Sequence, residues 1–290
     1  MSMLTPAPSD TGRTLVMGIV NVTPDSFSDG GRYASADAAV AHGRRLRDEG
    51  ADILDIGGES TRPGATRPLV ADELARVLPV IEKLAADGAV VSVDTMRAEV
   101  AEQAVAAGAR IVNDVSGGLA DERMLATVAA TDATYVAMHW RAHSHEMQSL
   151  AVYDGPGGVV SAVRDELSSR VDAAVSAGVD EGRLVLDPGL GFAKTGEHNW
   201  DLLRHLDVLD ALGLPLLVGA SRKRFLGELL ERDGEPRPVD RREAANTAVT
   251  TLLARHGVWA VRVHDARAAA DAVAVTQAWP GTFVVPEEEE

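Results

Sequence analysis

The stretch VVSVDTMRAEVAEQAVAAGARIVNDV, residues 90–115, holds one complete step of the fold. An apolar run ends on Asp94, an alanine-rich segment of helical character follows, Gly108 stops it, and a second apolar run reaches Asn113 and Asp114. Both runs are apolar at successive positions rather than alternating. That is the signature of parallel strands covered on both faces. A glycine directly after a helical stretch reads as the residue that closes the helix with a left-handed turn.

The same step recurs in both directions along the chain. Strands are expected at LVMGIV, ILDIGG, VVSVD, RIVNDV, TYVAMHW, LVLDPG, LPLLVGA and VWAVRVHD, eight in all. Gly50, Gly88, Gly108, Gly178, Gly213 and Gly257 punctuate the helical segments between them. The fourth unit lacks such a glycine and passes through Ala129, Ala130, Thr131 and Asp132 instead. Leu74, Val77, Leu78, Ile81 and Leu84, spaced i, i+3, i+4, i+7 and i+10, predict one apolar helix face. Eight strand-then-helix units with short returns favour a single α/β (β/α)8 TIM barrel over a wide doubly wound sheet. The barrel is expected over residues 14–280, with a flexible segment at 1–13 and an acidic tail at 281–290. ERDGEPRPVDRRE is read as a mobile loop inside the seventh unit.

Composition narrows the function classes. The 290 residues are 46% hydrophobic but only 4% aromatic, which suits layers of small aliphatic side chains. With no cysteine, disulfides, thiolate metal sites and cysteine nucleophiles are excluded, and a cytoplasmic location is expected. The polar start MSMLTPAPSDTGRT has no apolar core of a signal peptide, and no run approaches the roughly 18 apolar residues of a membrane span. A formal net charge of −16 argues against nucleic acid and against general steering of an anion. Any anion site must therefore be built locally.

Polar residues gather where the apolar runs end: Asn21, Glu59, Asp94, Asn113, His139, Asp187, Lys223, Arg262 and His264. In a barrel of parallel strands these ends share one rim, the rim that carries active sites. Any one of them could merely cap a helix. Acids half-buried at 94 and 187 need donors, so the ligand should carry N–H groups. The amino-oxo edge of a pterin offers such donors to a carboxylate and acceptors to an amide or ammonium. Arg262 and His264, two apart on one strand, point the same way and can reach one anion.

The blocks NVTPDSFSDGG, GGESTRPG, SVDT, VNDVSG, DPGLGFAKT, GASRKRFLG and VRVHD, spread from Asn21 to Asp265, resemble the successive signatures of the dihydropteroate synthases. The resemblance implies that Asp94, Asn113, Asp187 and Lys223 hold a pterin deep in the barrel, with Met138 and Phe192 near its ring. It gives the pyrophosphate to Arg262, Val263 and His264, and makes Asn21 a ligand of a Mg2+ cofactor. Asp94, Lys223, Arg262 and His264 would carry the reaction. The loops after strands one and two would act as lids, with Thr23, Pro24, Asp25, Phe27, Asp29, Ser60, Thr61, Arg62 and Pro63 completing a 4-aminobenzoate pocket and Thr61 also approaching the pterin. Sulfonamides are implied as competitors, and a homodimer through outer helices is implied as the assembly.

Two other functions stay open on the residues alone. A methyltetrahydrofolate-type methyltransferase would share the barrel and the pterin residues without needing the anion cradle or Mg2+. A non-catalytic relative would keep the fold and bind only pterin or a protein. His139, His143 and His145 match no structural zinc spacing and read as a polar loop. No dinucleotide, nucleoside triphosphate or acyl-transfer motif occurs.

Overall fold

The computed structural model describes residues 12–23, 31–59, 67–143 and 147–279. The strands are β1 (Leu15–Asn21), β2 (Ile53–Gly57), β3 (Val90–Asp94), β4 (Ile111–Asp114), β5 (Thr134–Met138), β6 (Leu184–Asp187), β7 (Leu217–Val218) and β8 (Ala260–Val263). All eight runs read from the sequence are strands. The helices of the described residues are α1 (Gly31–Asp48), α2 (Val70–Ala86), α3 (Ala98–Ala106), α4 (Met124–Ala129), α5 (Gly158–Ser176), α6 (Gly196–Arg204), α7 (Leu206–Asp210), α8 (Arg224–Leu229), α9 (Glu243–His256) and α10 (Ala266–Ala278).

Every strand pair is parallel, in the order β6-β5-β4-β3-β2-β1-β8-β7. A parallel bridge between Leu186 and Leu216 closes the ring, with the Leu186 amide donating to the Pro215 carbonyl at 2.8 Å. The chain is therefore a barrel and not an open sheet. Outward side chains such as Val16, Leu54, Val91, Val112 and Leu186 join the helices in one large core. Inward side chains at the lower end, Leu15, Met17, Ile53, Ile111, Val136, Val185, Leu217 and Ala260, form a second, enclosed core with Trp259.

The six punctuating glycines all adopt positive φ, from 74° at Gly213 to 113° at Gly108. At Gly108 two needs coincide, since a Cβ there would also meet the Ala85 Cβ of α2 at 2.8 Å. In the fourth unit Ala130 ends the helix at φ −78° without a left-handed turn, which is how that unit manages without glycine. The apolar face of α2 is shifted from its expected line. Glu73, Val77, Val80, Ile81 and Leu84 are buried, whereas Leu74 and Leu78 are only half-buried.

Two stretches expected to be loose make definite contacts among the described residues. Arg13, placed in the flexible start, makes a two-pronged ion pair to Asp52 at 2.6 and 2.9 Å. The stretch 231–243 is a loop up to the start of α9 at Glu243, but it is tied down. Arg232 and Glu235 form an antiparallel bridge, the Arg237 amide donates to the Gly227 carbonyl at 2.9 Å, and Arg242 is buried.

Candidate functional site

Strand register brings the predicted polar residues together. Asn21 pairs with Gly57, Gly57 with Asp94 and Asp94 with Asn113, which puts these positions on one level of the upper rim, while Asn113 pairs with Val136, so that Met138 and its partner Asp187 stand one inward position higher. Gly57 adds no side chain to that level. A Cβ there would lie 3.6 Å from Oδ2 of Asp94 and 3.8 Å from Oδ1 of Asn21, so both groups face one gap.

One level lower sits Asp55, fully buried in the middle of β2. Its Oδ2 accepts from Nε of Arg262 at 2.6 Å and from Nδ2 of Asn113 at 3.0 Å. Nη2 of Arg262 reaches on to Oδ2 of Asp94 at 2.7 Å. A guanidinium suits this role because its planar fork can serve two carboxylates at once. Burial works against the charge of Arg262, but Asp55 and Asp94 outweigh it and raise its pKa. Oδ1 of Asp55 and Oγ of the neighbouring Ser92 are buried without partners.

Burial also pushes the Asp94 carboxyl up to about 7, with Arg262 opposing the shift and Asp55, Glu73 and Glu59 reinforcing it. Asp187, raised by burial and restrained by Lys223, accepts the Gly189 amide on Oδ1 at 2.7 Å. Burial brings Lys223 down to about 8 against the pull of Asp187, and its ammonium donates to the Leu190 carbonyl. It also lies 5.0 Å from the centre of the Phe192 ring. Asp55, Asp94 and Asp187 thus face two cations, Arg262 and Lys223. An excess of carboxyl over cation favours a ligand that donates N–H.

Above this floor Met96, Val115 and Met138 form a small apolar cluster, flanked by Ala120, Trp140 and Phe192. It supplies a wall for a flat ring. On the far side Oγ of Ser221 lies 2.9 Å from Nδ1 of His264 and accepts the His264 amide at 3.2 Å. With the hydroxyl donating to Nδ1, the ring proton sits on Nε2, which can then donate to an anion.

Residues 17–264 match the pterin binding enzyme family. A dihydropteroate synthase of Mycobacterium leprae (strain TN) is 56% identical over 267 residues, covering 91% of this chain and 93% of the relative. The chain belongs to the dihydropteroate synthase family. The dihydropteroate synthase of Xanthomonas albilineans, solved with 4-aminobenzoic acid, superposes with a TM-score of 0.83 at 48% identity, covering 92% of this chain and 93% of that one. That of Yersinia pestis, solved as a sulfonamide drug complex, gives 0.83 at 38% identity over 92% and 94%.

For a dihydropteroate synthase the rim is assembled largely as the sequence predicts. Asn21, Asp94, Asn113, Asp187, Lys223, Arg262, Met138 and Phe192 converge, and His264 stands beside Ser221. Val263 does not join them. Its side chain is 1% exposed and packs in the outer core, because alternation along β8 turns it away from the interior shared by its neighbours. His139 is also withdrawn from the rim, 1% exposed, with one ring nitrogen on Lys194 and the other on Glu166. Glu59 pairs with Arg67 at 2.9 Å. Thr23 closes the described part of the first loop. Pro24, Asp25, Phe27, Asp29, Ser60, Thr61, Arg62 and Pro63 lie outside the described residues, as does His145.

Several functional side chains escaped the sequence reading. Asp55 was hidden inside an apolar strand, although an acid at that place signals a buried partner. Glu73 is wholly buried on α2, accepting from Thr95 Oγ1 at 2.6 Å and from Arg97 at 3.0 Å, which braces the segment after Asp94. Arg242 donates to the carbonyls of Arg237 at 2.8 Å and Arg222 at 2.9 Å. It thereby fixes Arg222 at φ 61°, one residue before Lys223. Only its position among charged neighbours marked it in the sequence, and that is no signal.

Proposed function

We propose that this chain condenses (7,8-dihydropterin-6-yl)methyl diphosphate with 4-aminobenzoate to give 7,8-dihydropteroate and pyrophosphate. One observation carries the reading. Arg262 and Asn113 share an oxygen of Asp55 while Arg262 also meets Asp94, so donors and acceptors stand side by side on a buried floor. Asp94 and Asp187 accept the N–H groups of the pterin edge, and Asn113 and Lys223 donate to its carbonyl and ring nitrogen. Met138, Met96 and Phe192 cover the ring.

The carbon–oxygen bond of the methyl diphosphate breaks with its electron pair on the leaving oxygen. His264 and Arg262 stabilise that charge by donation. The amine nitrogen of 4-aminobenzoate bonds to the methylene carbon and releases a proton. Asp94 acts on the positive charge of the pterin electrostatically and forms no bond to it.

Mg2+ belongs to the same proposal. Asn21 presents a single amide oxygen to the gap over Gly57, next to Asp94, and one or two protein oxygens suffice for an ion that keeps waters and binds phosphate oxygens. Bound there, the ion would neutralise the diphosphate. No group of three or more acids, histidines or cysteines suited to a metal occurs among the described residues, and on this reading the diphosphate would supply further oxygens.

Sulfonamides compete with 4-aminobenzoate on this reading, as the Yersinia pestis complex suggests. A homodimer is proposed as well, supported by Leu252 on α9 and Val275 and Trp279 on or beside α10, all exposed. Sedimentation at micromolar concentration tests it, and a monomer there refutes it. A cytoplasmic location accords with the absence of cysteine. Among the described residues no helix is long and apolar enough to cross a membrane.

The direct test incubates the pure protein with the pterin diphosphate, 4-aminobenzoate and Mg2+. 7,8-Dihydropteroate should form, and its formation should stop on chelation and resume when Mg2+ is restored. No product from folded protein removes the proposal.

A further inference from the structure

Beside the pterin floor, where β5 and β6 end against α5, lies a chain of titratable groups that the reaction above does not use. Lys194, 3% exposed, directs Nζ at three acceptors: Nδ1 of His139 at 2.8 Å, the Phe192 carbonyl at 3.0 Å and the Gly189 carbonyl at 3.1 Å. Nε2 of His139 meets Oε2 of Glu166 on α5 at 2.9 Å, and Nη2 of Arg141 donates to the other Glu166 oxygen at 2.5 Å.

Protonation along this chain follows from its last member. Partial burial disfavours the charge of Glu166, yet the hydrogen bonds from His139 and Arg141 prevail and hold it at about 2. An ionised carboxylate only accepts, so Nε2 of His139 carries a proton. Burial and Lys194 bring His139 down to about 4, so the ring is neutral and Nδ1 is an acceptor. Lys194 must then donate to it. Three acceptors match the three N–H bonds of an ammonium, whereas a neutral amine would turn a lone pair on one of them.

What the ammonium grips is a loop of left-handed turns, one of them at a residue other than glycine, Ala193. Between Asp187 and α6 the chain takes positive φ at Gly189 (65°), Gly191 (79°) and Ala193 (48°). A Cβ on Gly189 would come within 2.3 Å of the His139 carbonyl. Backbone of this kind persists only where its surroundings over-determine it. Here the carbonyls of residues 189 and 192 go to Lys194, that of 190 to Lys223, and that of 193 to the Tyr153 hydroxyl at 2.9 Å. Two lysines hold one loop from opposite sides, and the loop carries Phe192.

We infer that Lys194, backed by His139 and Glu166, is a positioning residue of the pterin site, holding the 189–193 loop so that Phe192 and the Leu190 carbonyl stand against Lys223. The inference rests on the pterin reading of that floor. Lys194 faces Glu166 and Asp187 as anions, Lys223 and Arg141 as cations, and His139 and His198 as neutral rings. Burial pulls its pKa well below the ordinary lysine value. The grip is therefore lost as pH rises through that lowered pKa, and removing the Glu166 charge brings the loss to lower pH.

Two variants test this, each first checked for a wild-type melting curve. Lys194→Met should weaken calorimetric binding of the pterin diphosphate about tenfold or more, roughly one hydrogen-bonded contact's worth. Glu166→Gln, which leaves Lys194 in place, should move the alkaline limb of kcat/KM toward neutral pH by about half a unit or more. Lys223 titrates against Asp187 and Arg262, so that change should leave its own limb where it was. Undiminished binding in Lys194→Met, or an unmoved limb in Glu166→Gln, overturns the inference. If Lys194→Met does not fold, the limb in Glu166→Gln decides alone. Failure of the wild-type protein to make 7,8-dihydropteroate would strike the underlying function instead.

Discussion

The lower and upper ends of the barrel interior are built from the same strands and differ in what those strands point inward. Met17, Ile53, Ile111, Val136, Val185 and Leu217 close the lower end with aliphatic side chains. Two or four residues further along, the same strands present Asn21, Asp55, Asn113, Met138 and Asp187. At the lower end the aliphatic carbons gain by leaving water, and the one polar side-chain atom buried there without a partner is Nε1 of Trp259. At the upper end Asp55 and Asp94 are taken from water at a cost that Arg262 only partly offsets, and Oδ1 of Asp55 keeps no partner. Stability is concentrated below, and binding capacity above.

The strongest challenge to that division is Arg262→Met. It should lower kcat/KM by at least about a thousandfold, because a cation facing the leaving group is lost. It should also destabilise by about 3–5 kcal/mol, since buried Asp55 and half-buried Asp94 lose their partner. A variant that melts and turns over like wild type would show that the floor is not held as described. Ile111→Ala at the lower end should do the reverse, costing about 2–5 kcal/mol in urea denaturation through the cavity it leaves while kcat/KM stays within a few-fold. Equal loss of activity would mean that the two ends are mechanically coupled.

A pH titration sharpens the upper half of the comparison. If ionised Asp94 takes the pterin edge as proposed, kcat/KM should fall below an acid limb near 7, about tenfold per pH unit, and the residual activity of Asp94→Asn should lack that limb. The stability sign is opposite to that of an ordinary paired acid. Folded Asp94 keeps its proton up to about 7 while the unfolded chain releases it near 3.8, so its contribution declines as pH rises between those values. Urea midpoints of Asp94→Asn should slope less steeply over that window. The smallest effect is expected outside the barrel interior. Gly108→Ala puts a Cβ 2.8 Å from that of Ala85 at φ 113°, costing about 1–3 kcal/mol with kcat/KM intact.

Much of this was legible beforehand. The eight apolar runs, the helix-stopping glycines and the polar residues at strand ends are local signals, each decided by a few neighbouring residues. Asp55 was missed because a mid-strand acid looks like an exception until Arg262, 207 residues away, is beside it. The facing of Val263 was hidden for the converse reason, since adjacency in sequence places it with Arg262 whereas the pleat of β8 sends its side chain to the other face. Lys194 sat inside a recognised block, yet nothing in that block tells a surface lysine from one buried against His139, 55 residues earlier.

The amino-acid sequence by itself determined the order of strands and helices, the closing of each helix and which chemical groups stand at the strand ends, because backbone propensity and hydrophobic period are properties of short segments. Only the tertiary structure decided which carboxylate meets which cation, which of two adjacent side chains faces the cavity and which lysine is buried. Electrostatic and desolvation energies depend on distance in space, and residues far apart in the chain become neighbours only when the ring of strands closes.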